Sequence, residues 1–318
     1  WTGIYSCRDY TVYGFATGFS FGYNRGMSLY IGCPVWSFNS WVGNFYPPGT
    51  KPSEFLREYT RRLTTIEGNT TFYAVPSSKT LAQWAAEMPE TFRFCPKVPR
   101  SISHEGTLSS KTEEAAQFIE RMSLLGSRLG PMFLQLPPAF SPKRLSELRA
   151  FLESWPRHIR LGVEVRHLDW FDPPDHEGLN ELLSKYNMAR VVIDTRPIRS
   201  LAGDKSLAGS AYESLLEARE RKPDVPVIPE RTADFLFIRY IGHPQEEMNR
   251  SLLDEWGGFL SGQIRRGAEA FVFCHSPDNL IAPTLCRNLY RNISAQIPIS
   301  SLPWDEADAN TFEQGRLF

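Results

Sequence analysis

The chain has few cysteines, and none lies near another. Cys7, Cys33, Cys95, Cys274 and Cys286 form no CxxC pair and are odd in number. A disulfide framework or a zinc knuckle needs paired spacings, so neither is expected, and a reducing cytoplasm is the default setting. Long apolar runs are absent too: nothing approaches the roughly 20 residues that cross a bilayer. Charge is not in excess of either sign, since 35 Lys and Arg against 36 Asp and Glu leave a formal net charge of −1. That balance offers neither a surface for polyanions nor a basic patch for membranes. No HxH, HxxxH or HExxH cluster occurs, and no Gly-rich phosphate loop follows the first strand, where "GCPVWSFNSW" stands instead.

What is present is the material of a globular core. Of 318 residues, 42% are hydrophobic and 22% charged, enough for one large domain. Residues 1–26 are rich in aromatics and glycine without periodicity, and are expected to be a poorly ordered extension outside the folded unit. A single domain is expected over 27–300, followed by a tail over 301–318. Eight strands are read at 29–33, 64–69, 92–97, 131–136, 160–166, 190–194, 234–240 and 270–275. Helical spacing of apolar residues falls between them, at 53–63 (with Ser53 as N-cap), 77–87, 112–125, 142–155, 177–186, 211–222, 246–266 and 281–293. Strand and helix alternating eight times over about 250 residues predict a parallel (β/α)₈ TIM barrel. A doubly wound open sheet is the competing architecture.

Barrel enzymes build their sites where strands end, so the strand ends are the places to search. Glu67 and Asn69 close the second strand, Lys97 the third and Gln135 the fourth. Glu164, Arg166 and His167 close the fifth, Asp194 the sixth, Arg239 the seventh and His275 the eighth. Glu164 and Arg166 face the same way, because strand side chains alternate. A ring of such residues implies a polar pocket over an apolar floor. The bland reading is that Glu164 and Arg166 pair with each other, or with Lys97 and Asp194, only to satisfy buried charge. Buried ion pairs are weak stabilisers, so a whole ring of them favours function. Trp36 and Trp41 in the first loop either wall this pocket or cover the barrel mouth. Trp84, Trp155 and Trp256 fall on helices and are expected in the core.

The motifs "IEGNTTFYAVP" (66–76), "FCPKVPRSISH" (94–104), "LQLPPAF" (134–140), "VEVRHLDW" (163–170) and "FIRYIG" (237–242) resemble the domain of unknown function 72 family, the YecE-like proteins, from about Tyr30 to Ile293. The resemblance implies a TIM barrel with a charged pocket at the strand C-termini, and no established reaction. Glu67, Asn69, Phe72 and Tyr73 stand at the family's Glu-x-Asn-x-Thr-Phe-Tyr motif. Lys97 and His104 match its Lys and Thr-His positions, with Ser103 in place of Thr. Gln135 matches Gln-x-Pro-Pro, and Glu164, Arg166 and His167 match Glu-x-Arg-His. Arg239 and Gly242 fit Arg-x-His-Gly, but Ile241 replaces its His, and His243 follows two positions later. Cys274-His275 stands where many members carry Asn-Asn.

The expected catalytic residues are therefore Glu164, Arg166, Glu67, Lys97 and His104, with Glu164 the leading general acid or base. Asn69, Tyr73, Gln135, His167, Asp194, Arg239, His243, His275 and Trp36 are expected to bind substrate. Three readings stay open. The first is an enzyme that needs no metal or other cofactor and acts on a small polar or anionic substrate such as a carbohydrate or sugar phosphate. The second is a metal-dependent hydrolase or phosphodiesterase, for which His104, Glu164, His167, Asp194, His243 and His275 supply ligand types. The third is a protein that binds a metabolite or partner without catalysis. Lys97, Arg166 and Arg239 raise the cost of a nearby divalent cation, so the first reading is preferred and no metal is expected. Lys97 would serve either as an anion contact or, with its pKa depressed, as a Schiff-base lysine. A small ligand is the expected partner rather than a membrane or a nucleic acid, and the oligomeric state stays open.

Overall fold

Short runs of Val, Ile, Phe, Leu and Tyr, bounded by Gly, Pro or polar residues, become strands. In the computed structural model, which describes residues 28–201 and 207–305, these are β1 (Leu29–Cys33), β2 (Thr65–Gly68), β3 (Arg93–Pro96), β4 (Met132–Gln135), β5 (Leu161–Glu164), β6 (Ala189–Asp194), β7 (Phe235–Ile241) and β8 (Glu269–His275). The helices are α1 (Phe55–Thr60), α2 (Ser78–Glu87), α3 (Arg100–Ser103), α4 (Thr112–Ser123), α5 (Leu145–Ser154), α6 (Asp175–Lys185), α7 (Arg196–Arg199), α8 (Ser210–Arg221), α9 (Arg250–Arg265) and α10 (Ala282–Ser294). The extension expected over 1–26 and residues 306–318 of the expected tail lie outside the described residues. Residues 301–305 are packed: Leu302 is buried and the Trp304 ring meets Phe45 edge-on at 5.0 Å.

The strands pair in parallel in the order β3-β2-β1-β8-β7-β6-β5-β4. The two ends meet where Gly130 N donates to Phe94 O at 2.8 Å and Val98 N to Phe133 O at 2.9 Å, so the sheet closes into a (β/α)₈ barrel. The open-sheet alternative is excluded. The Ser53 cap is a correction: Ser53 sits inside a 3-10 turn, Pro52–Glu54, and α1 starts after Glu54 without a side-chain cap. Proline at the first position of that turn favours an early start. Ser77 does cap α2, accepting from Thr80 N at 3.1 Å.

One face of every strand points to the barrel axis. Tyr30, Cys95, Phe133, Ala189, Val191, Phe235, Phe237, Phe271 and Phe273 form a closed apolar cluster there. Phe237 packs on Phe133 at 5.1 Å and on Phe273 at 4.9 Å between ring centroids. Gly162, also inward, makes room for these rings: a Cβ would stand 2.9 Å from Val191 and 3.5 Å from Phe237. Two residues further along six of the eight strands, the same parity delivers Glu67, Lys97, Gln135, Glu164, Arg239 and His275. The apolar floor therefore ends in a polar layer one pleat higher.

The sixth unit departs from the expected pattern. Residues 211–222 read as an outer crossover helix, but α8 packs its Leu215 and Ala218 against Ile193, Ile198 and Ile241 at the strand C-termini. It covers one side of the barrel mouth. The chain then returns along β6 as an extended segment, with Val225, Pro226 and Ile228 against Val191–Ile193. Thr232 anchors its end, donating to Met188 O at 2.8 Å and accepting from Arg190 N at 2.8 Å. Pro223, Pro226 and Pro229 deny this segment helical hydrogen bonds, which is why the helix comes before the return and not during it.

Candidate functional site

Arg239 stands at the centre of the polar layer. Its Nε and Nη2 donate to the two oxygens of Glu67, both at 2.8 Å, and its Nη1 donates to Glu164 Oε2 at 2.6 Å. Glu164 Oε1 accepts from Arg166 Nε at 2.7 Å. Arg166 Nη2 and Lys97 Nζ then share one acceptor, Gln135 Oε1, at 2.7 and 2.8 Å. On the other side, Glu67 Oε1 accepts from Asn69 Nδ2 at 2.7 Å and Oε2 contacts His275 Nε2 at 3.1 Å. Because an ionised carboxylate only accepts, His275 is the tautomer with its proton on Nε2. Gly68, between Glu67 and Asn69, is required by closeness: a Cβ there would lie 2.5 Å from the Phe94 ring.

Burial and charge set the protonation of this network. Burial pushes the Glu67 and Glu164 carboxyls upward, but Arg239 opposes it in both cases and wins. Glu67 is held well below the usual carboxylate range with help from His275, and Glu164 at about 2 with help from Arg166. Lys97 goes the other way. Burial, then the Arg239 guanidinium, bring its ammonium down to about 7 against the opposing pull of Glu164 and Glu67. Burial also takes His275 to about 4, so it is neutral at physiological pH. His104 is likewise lowered to about 4, first by burial and then by Lys97 and Arg166.

Above the network opens a cleft of about 560 Å³. Pro34, Val35, Phe72, Ile241 and Asn279 form part of its wall. Lys97 Nζ lies 4.1 Å from the Phe72 ring centroid, and the His104 ring meets the same Phe72 edge-on at 5.1 Å. His104 is positioned by α3, a short helix that sequence periodicity did not reveal. Its Nδ1 is 2.7 Å from the hydroxyl of Ser103. Tyr73 stands at the rim, 81% exposed. Asn69, Gln135, Arg166, Arg239 and His275 complete the lining from the expected set.

Glu67 and Glu164 are brought to the same centre yet have no exposure to solvent, and each of their four oxygens already holds a donor. Four other expected residues are placed elsewhere. Asp194, at the end of β6, faces outward, accepting from Trp256 Nε1 and Arg196 Nη2, both at 2.8 Å. His167 caps the turn after β5 through Nδ1, 3.3 Å from Asp169 N. His243 is buried in the loop after β7, its Nδ1 accepting from Gln245 N at 3.1 Å. Trp36 packs edge-on against Trp84 and Phe94, and Trp41 is buried with its Nε1 donating to Asn279 O. The aromatic wall of the cleft is therefore Phe72 and Tyr73, not Trp36 and Trp41. The ligand types considered for a metal are dispersed accordingly, and among the described residues no three His, Cys, Asp or Glu side chains converge on a metal position.

Three cations at the cleft escaped the strand-end search: Arg100 on α3, Arg221 on α8 and Lys222 just after it. Arg100 and Arg221 are partnered by Glu105 at 3.6 Å and Glu217 at 2.8 Å. Lys222 has its pKa lowered to about 8, by burial first and then by Arg239. The only sequence signal for it was the Arg-Lys pair before Pro223, and that reads equally well as a helix C-terminus.

The fold has counterparts among known proteins. The family profile described as Protein of unknown function DUF72 matches residues 30–307. The UPF0759 protein YecE of Escherichia coli K12 is 35% identical over 277 residues, covering 86% of this chain and 96% of that protein. The UPF0759 protein YunF of Bacillus subtilis is 24% identical over 255 residues, covering 77% and 87%. Among solved structures, a DUF72 family protein of Enterococcus faecalis superposes with a TM-score of 0.63 at 16% identity, over 86% of this chain and 98% of that one. One of Thermotoga maritima superposes with a TM-score of 0.57 at 23% identity, over 84% and 98%. Those two likenesses speak for the fold alone. Taken with the profile match and the relationship to YecE, they close the question of kinship: the chain belongs to the DUF72 family.

Proposed function

We propose that the protein is a metal-independent enzyme acting on a small anionic substrate, such as a sugar phosphate or sugar acid, with Lys97 as its proton carrier. The observation that carries this reading is a nearly buried amine paired with a carboxamide, Gln135, while both nearby carboxylates are engaged by arginines. An amine with a pKa near 7 both gives and accepts protons at neutral pH. Two guanidiniums, Arg166 and Arg239, cancel Glu67 and Glu164, which leaves Lys222 as surplus positive charge and Lys97 divided between its charged and neutral forms at neutral pH. Arg166 keeps Nη1 without a partner among the described residues, available to a carboxylate or phosphate.

A two-carboxylate glycosidase mechanism has less support, since such acids must reach the scissile bond and Glu67 and Glu164 lie covered beneath the cleft. Glu164 is better read as a positioning residue that holds Arg166 and Arg239. The test is a panel of sugar phosphates and sugar acids followed by proton NMR in D₂O, with and without EDTA. We expect one of them to be consumed, or to exchange a carbon-bound proton, at a rate indifferent to EDTA. Lys97→Met should lower that rate by about a hundredfold or more while its thermal midpoint holds or rises, because a buried ammonium is removed. Turnover that EDTA abolishes and a divalent ion restores would return the hydrolase reading. Saturable binding without turnover across the panel would leave a binding protein.

A further inference from the structure

We propose that Lys97 forms an imine with the carbonyl carbon of an anionic aldehyde or ketone bound in the cleft. The inference rests on the reading of this cleft as an enzyme's anionic-substrate site, and adds the carbonyl group and a covalent step. Its basis is the geometry around the amine. Nζ emerges from the end of β3 with Gln135 Oε1 as its hydrogen-bond acceptor, and no described carboxylate lies within ion-pairing distance. A carboxamide fixes the direction of the amine without requiring it to stay protonated. The same oxygen also serves Arg166 Nη2 at 2.7 Å, so a second cation is held close to Nζ. The Phe72 ring, 4.1 Å away, shields one side of the amine from water.

Burial and the neighbouring guanidiniums favour the neutral amine, the only form with a lone pair to attack. Against the opposing pull of Glu164, Glu67 and the Phe72 ring face, they bring its pKa to about 7. The step balances without an oxidant or reductant. The Nζ lone pair bonds to the carbonyl carbon while the carbonyl π electrons move to oxygen, and a proton passes from nitrogen to that oxygen to give a carbinolamine. The hydroxyl then takes one further proton and leaves as water, and the nitrogen lone pair completes a protonated imine. Neutral His104, against the same Phe72 ring, is placed to relay that proton. Lys222, just after α8, lines the same cleft and is assigned to the ligand's anionic group.

Pyridoxal 5′-phosphate provides a probe that carries both an aldehyde and a phosphate. The full chain is treated with it, reduced with sodium borohydride and mapped by peptide mass spectrometry, beside pyridoxal lacking the phosphate. Binding of inorganic phosphate is measured separately by calorimetry. The expected result is about one label per chain on Lys97, formed at least tenfold faster than with pyridoxal and suppressed by inorganic phosphate. Label on Lys222, or spread over surface lysines, while phosphate still binds, overturns the imine and leaves the anionic-substrate reading standing. Neither label on Lys97 nor phosphate binding overturns both. Because the assignment is made on the wild-type protein, it does not depend on a variant that folds.

Discussion

Arg239 reaches both buried acids with three nitrogens, so the cost of losing it is that of two stranded carboxylates. Arg239→Met should destabilise the fold by about 3–5 kcal/mol at pH 7. The pH dependence has a definite sign. Both acids have depressed pKa values in the folded protein, Glu164 at about 2, so their contribution is present above the unfolded value of about 4.3 and is lost as pH falls through the folded values. Without Arg239, burial dominates and both acids take up protons at a higher pH, which relieves the penalty. Urea midpoints should therefore separate the two proteins most at pH 7 and least near pH 3. A gap that is constant with pH would mean that Arg239 acts by packing alone. At this scale the chain displays the members of the network but not its wiring. Glu164 and Arg166 are two apart and visibly share a face. Glu67 and Arg239 are 172 residues apart, and nothing local says that one saturates the other and removes it from acid-base work.

β3, β4, β7 and β8 each carry two messages, an apolar residue for the floor and a polar one for the cleft, separated by one pleat. Phe237, with no exposure to solvent, holds the floor beneath Arg239, its neighbour two residues on. Phe237→Ala should cost about 3–5 kcal/mol by leaving a cavity among Phe133, Phe273 and the inward Gly162. Anion binding in the cleft should weaken as well, because the polar layer rests on that ring. Intact binding in a destabilised variant, read by calorimetry, would uncouple floor from site. All eight strands were legible from alternation and turn residues, and most helices from apolar spacing. The misreadings have physical causes. A helix such as α8 shows the same periodicity whether it packs on the barrel wall or over the mouth, since its apolar face is satisfied by either. The four residues of α3 are too few to show periodicity at all, though α3 sets His104 against Phe72.

For the whole molecule, closure is uneven. β7 and β8 pair through seven residues, whereas β3 and β4 meet only at the isolated bridges Phe94↔Leu129 and Lys97↔Phe133. Local opening follows the density of such bonds, so the seam should open first. Hydrogen exchange at Val98 and Gly130 should run at least tenfold faster than in the middle of β8. Uniform protection around the barrel would show that helix packing, rather than the ladder, holds the seam. Lys97 lies on that seam, which ties the mobility of the closure to the residue assigned the chemistry. By itself the sequence determined the parallel barrel, the absence of any apolar segment long enough to cross a membrane (among the described residues no helix is), and the gathering of charge at the strand ends. Periodicity and composition are local, and they survive without coordinates. Only the tertiary structure decided which charges cancel, that Asp194 looks outward, that Lys222 joins the cleft, and that Lys97 faces a carboxamide instead of a carboxylate. Those outcomes depend on distances between residues far apart in the chain, and distance sets both desolvation and Coulomb energy.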